Sequence, residues 1–388
     1  MKILHLITSL KIGGAESALC NFLEYNNPTL PTSLKLRRTR KLRITGKNAT
    51  YSHYVAFFHS GPNLQRINKL HIPTHQISGV ISVYNPIALL RLIKVIKKIK
   101  PDIIHAALWS STIIARIIGK LLGIPVICDI HGDCEHHGTF RNFLDKITLR
   151  LCSQFVAVSE STKESFVKTL HANPKNIIVI ENGINIESLH KKSFTQPLER
   201  KDFGLSESDF VVGSVGRLAE IKRYDVLLKA LKPTKNIKLV LVGDGPERKQ
   251  LEDLATKLGI NDHVLFVGFR TDAYKFYPLF DCFALSSDSE GMSIALLEAL
   301  SFGIPLISTS KTKKHDVIIH GKNGFLVPVN SPKKLSNAIQ MLHFDKSLRY
   351  KMGKNNSKLA KNTYHIKNVV NKYHTIYEKH SQQRFIKS

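Results

Sequence analysis

Along the 388 residues, near-continuous apolar runs of strand length alternate with amphipathic stretches of helix length. KILHLITSL, YVAFFHS, DIIHAAL, PVICDIHG and FVAVSE read as strands in the first half. Each is apolar at successive positions, as parallel strands covered on both faces must be. Between them, PIALLRLIKVIKKIK (86–100) predicts a helix with Leu90, Ile93 and Ile96 on one side and lysines on the other. STIIARIIGKLLG predicts a second, stopped at Gly123. IIVIENGIN (177–185) closes this half, and the polar IESLHKKSFTQPLERKDFGLSESD reads as an irregular connector. The rhythm then restarts. FVVGSVGRL, IKLVLVGDG, HVLFVGF, CFALSS and PLIST are expected strands, YDVLLKALK, PERKQLEDLATKLG and MSIALLEALSFG expected helices, and the tail from Pro332 reads as helical. Alternation of this kind means α/β with parallel sheets, and the restart means two such domains, 1–185 and 186–365. In open sheets of this class, ligands bind beyond the carboxyl ends of the strands, so two sheets with those ends facing would hold a ligand in the cleft between them.

Composition narrows the picture. The opening MKILHLITSLKIGGAES has the lysine and apolar run of a secretory signal, but the run ends at Lys11 and a Gly-Gly pair without an A-x-A pattern. A first buried strand is expected instead. No stretch reaches the roughly 20 apolar residues of a membrane span. Five cysteines, at 20, 128, 134, 152 and 282, form an odd set without a C-x-x-C, which argues against a disulfide framework and fits a reducing cytosol. The 57 basic against 30 acidic residues give a formal charge of +27, attractive to nucleic acid, anionic headgroups or phosphorylated substrates without choosing among them.

Candidate chemistry lies at the strand ends. In GSVGRLAEIKRYDVLLKAL (213–231), Arg217 and Lys222 follow a strand ending at Val215 and precede a helix. Fixed cations beside a helix start suit a diphosphate; two solvated surface cations are the plainer alternative. GDGPE (243–247) is a tight turn with Pro246 opening the next helix. KIGGAES (11–17) joins strand to helix through Gly13 and Gly14, where backbone amides can approach a phosphate closely. It is not a G-x-G-x-x-G, so a nicotinamide cofactor is poorly supported. ICDIHGDCEHHG (127–138) crowds His131, Asp133, Cys134, Glu135, His136 and His137 together. Adjacent ligands rarely converge on one ion without a matching distant set, and C-x-x-C and H-E-x-x-H are absent, so His131 alone is the candidate and the rest a polar loop. In SDSEGMSIALLEALSFG, Glu290 falls in a loop and Glu298 about two turns into a helix beginning near Met292 or Ser293. That layout suits a nucleotide-sugar: diphosphate at the helix start, one carboxylate on sugar hydroxyls and the other on ribose. The plainer alternative makes Glu290 a first-turn dipole partner and Glu298 a helix-surface residue.

These motifs in this order (GRL…K, VGDGPE, Glu290-x7-Glu298, NGI at 182–184 and HGKNGFLVP at 320–328) resemble the family-4 retaining glycosyltransferases, from the Gly-Gly loop to about residue 375. The resemblance implies the GT-B fold: two Rossmann-like parallel-sheet domains facing across a cleft, with a last helix, 366–388, crossing back to the N-terminal domain. It implies a hexosyltransferase-type enzyme moving sugar from a nucleotide-diphosphate donor to an acceptor hydroxyl with retention, in polysaccharide, lipopolysaccharide or glycolipid synthesis. By position it makes Arg217 and Lys222 diphosphate ligands, Glu290 the carboxylate nearest the transferred sugar and Glu298 the ribose ligand. Gly14 would lie beneath the phosphates, His131 would approach the donor sugar, and the amides of Met292 and Ser293 would help hold the phosphates. With protein cations supplying the charge and no D-x-D present, no metal or other cofactor is required. EGMS stands where the family commonly carries an aromatic.

The segment PTSLKLRRTRKLRITGK (31–47) carries seven cations and no acid. It reads either as a contact for anionic membrane or an anionic acceptor, or as a solvated excursion. The expected partners are therefore a nucleotide-sugar, a lipid-linked or saccharide acceptor and an anionic membrane surface, without nucleic acid, in a cytoplasmic protein peripheral to the inner membrane face. A sugar-nucleotide epimerase or hydrolase of the same fold, and a non-enzymatic basic nucleic-acid-binding protein, are the alternatives; the latter lacks an RRM-type aromatic pattern or helix-turn-helix.

Overall fold

The computed structural model describes residues 1–26, 51–77, 85–132, 138–231, 236–311 and 315–387. The basic segment 31–47 and residues 133–137 of the histidine-rich loop lie outside them. The chain divides into two compact units, one formed by 1–183 with 366–388 and the other by 184–365.

The first unit is a parallel sheet of β1 (Lys2–Ser9), β2 (Ser52–His59), β3 (Thr74–Gln76), β4 (Ile103–Ala107), β5 (Val126–Ile130), β6 (Gln154–Ala157) and β7 (Ile177–Val179). Their order is β3-β2-β1-β4-β5-β6-β7. Its helices are α1 (Gly14–Asn26), α2 (Asn63–Asn68), α3 (Pro86–Ile99), α4 (Trp109–Leu122), α5 (Thr139–Thr148) and α6 (Glu160–Leu170). The unbroken apolar runs have a simple origin in period-two geometry. Leu4 and Leu6 of β1 enter a core with Leu92 and Ile96 of α3, Ile114 of α4 and Phe166 of α6. Ile3 and Ile7 enter the opposite core with Phe22 and Leu23 of α1. Both faces are covered, so neither parity can be polar without compensation.

The second unit is also parallel, with β8 (Phe210–Val215), β9 (Ile237–Val242), β10 (Val264–Gly268), β11 (Cys282–Leu285), β12 (Leu306–Ser310) and β13 (Gly324–Pro328) in the order β10-β9-β8-β11-β12-β13. Its helices are α7 (Ile186–Phe194), α8 (Tyr224–Ala230), α9 (Arg248–Lys257), α10 (Ile294–Ser301), α11 (Pro332–Phe344) and α12 (Lys346–Asn362). The last helix, α13 (Ile366–Lys387), belongs to the first unit and packs on α1. Its buried Ile366, Val369, Val370, Tyr373, Ile376 and Tyr377 follow helical spacing and join the core under β1. Among the described residues, no helix is long and apolar enough to cross a membrane.

Three expectations are corrected. In α3 the buried stripe is Ala88, Leu92, Ile96 and Ile99, and Leu90 is 66% exposed. That stripe recurs every three or four residues from Ala88, in a helix capped by Asn85 on the Ile87 amide at 2.9 Å, and leaves Leu90 on the outward face. The polar connector opens with α7, whose Asn185 cap accepts from the Ser188 amide at 3.1 Å and which buries Ile186 and Ser193. Finally, α9 begins at Arg248, so Pro246 shapes the turn ahead of the helix rather than opening it.

Candidate functional site

In the second unit the sheet order reverses between β8 and β11, a point at which open α/β sheets hold ligands. Two turns meet beyond β8. Gly243 has φ +143° and a Cβ built there would lie 1.9 Å from the Gly216 carbonyl oxygen, so only glycine fits. The Gly216 amide donates to the Val242 carbonyl at 3.0 Å and the Leu218 amide to that of Asp244 at 3.0 Å. The GDGPE turn is therefore the seat of the loop that carries Arg217. Arg217 itself is exposed, and among the described residues its guanidinium makes no hydrogen bond or ion pair.

Lys222 ends a short 3-10 turn, Glu220–Lys222, and its ammonium pairs with Glu290 Oε1. Ser287 Oγ donates to the same oxygen at 2.7 Å. The two loops are laced together by backbone as well. The Asp288 amide donates to the Ile221 carbonyl at 3.0 Å, Ser286 Oγ to the Lys222 carbonyl at 2.9 Å, and Thr309 Oγ1 to that of Ser287 at 2.6 Å. Two residues that the sequence placed 68 positions apart thus form one braced pair. The adjacent Arg223 is committed elsewhere: its Nε donates to Asp225 at 3.0 Å and an η nitrogen to Asp288 at 3.2 Å. These partners raise its pKa, Asp225 foremost, so it stays cationic but already neutralised.

Helix α10 starts at Ile294, with Ser293 Oγ as its cap accepting from the Leu296 amide at 3.4 Å. The amides of Met292 and Ser293 consequently lie in the segment leading into the helix, and Glu298 sits just over one turn inside it. Tyr277, fully buried, donates its hydroxyl to Glu298 Oε2 at 2.7 Å. Burial first, then the Glu298 charge, pushes the phenol's pKa well up, so it remains a donor. Tyr277 was not legible as a site residue, and neither was His315. The Nδ1 of that half-buried imidazole accepts from the Val317 amide at 3.1 Å. Burial lowers its pKa while Asp316 and Glu290 oppose the shift.

In the first unit the order reverses between β1 and β4. Beyond β1, a Cβ on Gly13 would meet Glu16 Oε2 at 2.3 Å, whereas one on Gly14 would meet open space. The Glu16 carboxylate, buried and accepting from Ser9 Oγ at 2.9 Å, already occupies the glycine surface at Gly13. Gly14, the first residue of α1, is the position left for close approach. His131 follows β5, with Nε2 3.7 Å from Asp129 Oδ2, an electrostatic rather than a hydrogen-bond distance.

Asp129 is the hub of a buried polar row that crosses the sheet on its α13 side. It contacts His105 Nε2 at 2.8 Å and accepts from the Tyr373 hydroxyl at 2.9 Å. The Tyr377 hydroxyl bonds His105 Nδ1 at 2.6 Å, and His5 Nε2 bonds His53 Nδ1 at 3.0 Å. His5 and His105 are direct cross-strand partners, which sets their shared face. Burial works against the Asp129 charge, but His105 and then His131 hold its carboxyl well below the usual range. Burial pushes His5 well below the imidazole range and His53 to about 4. Both are near 6.5 unfolded, so the folded protein binds fewer protons: their stability is fully present above about pH 6.5 and lost as pH falls toward 4. The unfolding free energy measured in urea should decline through that window by up to ~1.4 kcal/mol per pH unit per histidine. His53→Gln should make the profile shallower by the share of one histidine; an unchanged slope would show that His53 does not titrate on unfolding.

Comparison with known proteins covers most of the chain. Residues 195–359 match the family described as glycosyl transferases group 1, and residues 51–188 that described as glycosyltransferase family 4. The chain is 29% identical over 307 residues, 75% of its length and 78% of the relative's, to the UDP-Gal:alpha-D-GlcNAc-diphosphoundecaprenol alpha-1,3-galactosyltransferase of Escherichia coli. It is 28% identical to the N-acetyl-alpha-D-glucosaminyl L-malate synthase of Bacillus anthracis, covering 85% of this chain and 90% of that one. Among solved structures, Anabaena HepE in complex with UDP and glucose superposes with a TM-score of 0.82 at 23% identity, covering 98% and 100% of the two chains. Sucrose-phosphate synthase from Thermosynechococcus elongatus gives 0.78 at 18% identity over the full length of both. At these identities the structural likeness establishes the fold, GT-B.

Proposed function

The chain belongs to glycosyltransferase family 4 and is a glycosyltransferase of the hexosyl-transferring type, and on that premise we propose that it moves a sugar, with retention, from a uridine-diphosphate donor to a lipid-linked saccharide of the cell envelope. The observation that carries the donor reading is the contrast among three neighbouring cations. Arg223 is neutralised by Asp225 and Asp288, Lys222 is held against Glu290, and Arg217 stands exposed without a protein partner among the described residues. A cation braced on a glycine-seated loop with no internal counter-ion is set up for an anion from outside. In this reading Arg217 receives the diphosphate. Lys222 shares its charge between phosphate and Glu290, Glu290 accepts from sugar hydroxyls, and Glu298, steadied by Tyr277, accepts from the ribose. The amides of Met292 and Ser293 contribute at the phosphates, Gly14 leaves them room, and His131 acts on the sugar side. Charge that develops on the departing diphosphate is met by groups already in place, so little reorganisation accompanies bond cleavage. The chain's own cations supply that charge, with no further cofactor.

The uridine donor and the envelope acceptor are read from the relatives: the Escherichia coli enzyme is named for UDP-Gal and a diphosphoundecaprenol acceptor, and a Staphylococcus aureus relative, 26% identical, for capsular polysaccharide biosynthesis. A thermal-shift series with UDP-, GDP- and ADP-sugars tests the donor. At about 100-fold over Kd a ligand adds roughly 2.7 kcal/mol, so the UDP series should raise Tm by several degrees while the others do not. A larger shift with a GDP- or ADP-sugar would overturn the uridine assignment.

A further inference from the structure

Helix α5 is folded inside out. Its inward face carries Asp145 and Thr148, whereas Phe140, Phe143 and Ile147 are 69%, 59% and 57% exposed. Hydrophobic spacing alone would have buried those three residues, which share one helical face. What prevents it is Arg116 of α4, 1% exposed, which donates to Asp145 Oδ1 at 2.6 Å while Trp109 Nε1 donates to Oδ2 at 2.7 Å. That buried pair fixes the rotation of α5 and holds its aromatic edge outward. Interleaved with the aromatics are exposed Arg141 and Lys146, followed by Arg150, and the only carboxylate of the helix is the buried Asp145. The Arg141 guanidinium lies 4.8 Å over the Trp109 ring.

We propose that this face is a docking surface for an anionic lipid bilayer, with Phe140, Phe143 and Ile147 entering the interface and Arg141, Lys146 and Arg150 meeting headgroup phosphates. An apolar helix face whose exposed charges on α5 and Arg150 just after it are all cations, on a chain of formal charge +27, matches a negatively charged apolar boundary and mismatches water. Helices α4 and α5 both begin beyond the carboxyl ends of sheet strands, β4 and β5, so docking through α5 holds the strand-end rim that carries His131 at the surface where a lipid-linked acceptor resides. The proposal rests on the acceptor reading above only for its purpose. Binding to vesicles is measured without donor or acceptor, so the two fail separately.

The test is cosedimentation of the full chain with phosphatidylcholine vesicles, with and without 30% phosphatidylglycerol, alongside Phe140→Ser/Phe143→Ser/Ile147→Ser and Arg141→Gln/Lys146→Gln/Arg150→Gln. Each triple variant should lower partitioning onto anionic vesicles at least tenfold while keeping the wild-type Tm, and emission of the single tryptophan, Trp109, should shift on vesicle addition in the wild type only. Variants that partition like the wild type would overturn the proposal. So would equal wild-type binding to neutral vesicles, or dissociation of a wild-type dimer by the apolar variant with vesicle binding intact. If deleting residues 33–44 alone abolished binding while both α5 variants bound normally, docking would belong to the basic segment instead.

Discussion

Replacing Arg217 and Lys222 together by alanine should lower kcat/KM for sugar transfer by about 10⁴-fold or more, at about 3–4 kcal/mol for each well-placed charge donor. Thermal stability should stay close to wild type, because Arg217 is exposed and Lys222 takes part in one partly exposed pair with Glu290, a class of contact that contributes little to folding. Release of UDP from the donor with acceptor present reads the outcome. The singles should differ in character. Arg217→Ala removes a donor to the diphosphate alone, whereas Lys222→Ala also frees Glu290 to its remaining Ser287 contact and so disturbs both ends of the donor. A double variant that retains transfer within tenfold of wild type would remove these residues from the chemistry.

Much of the fold was open to reading because parallel strands covered on both faces leave unbroken apolar runs, and β1, β2, β4 and β5 lie where those runs lie. Two of the four edge strands were harder: β3 is three residues long, and β13 ends in Pro328 within a stretch legible only as a motif. Arg217, Lys222, Glu290 and Glu298 could be named because strand-end cations and carboxylates stand out against apolar surroundings. Their bracing could not be. Ser287 and Tyr277 act through distances of 2.7 Å that depend on how separate loops meet, and no local pattern encodes that. The polar row in the first unit did leave a trace. His5 in KILHLITSL and His105 in DIIHAAL are polar residues at fully buried parity, and Tyr373 and Tyr377 stand one helical turn apart in α13. The loss of period-3.6 logic in α5 was invisible for the opposite reason, since the partner that rotates the helix, Arg116, lies 29 residues upstream of Asp145.

Asp145→Ala should therefore destabilise the protein by about 3–5 kcal/mol, the usual cost of stranding one member of a buried ion pair. Arg116 would keep only Thr112, the backbone carbonyl at position 145 and the face of Phe155, and Trp109 would lose its acceptor. The compensated double variant, Asp145→Ala with Arg116→Met, should recover most of that loss, because no unpaired charge remains buried. Urea unfolding of the three proteins measures it. Equal stability of single and double variants would show that the pair's worth lies in packing and not in charge.

The central claim is that a diphosphate is gripped by Arg217 beside a lysine already paired to Glu290. It is tested most directly by calorimetric titration of UDP and UMP into the wild type and into Arg217→Ala. The expected result is that UDP binds the wild type at least tenfold tighter than UMP and that this preference collapses in the variant while UMP affinity changes little. An undiminished preference for UDP in Arg217→Ala would contradict it.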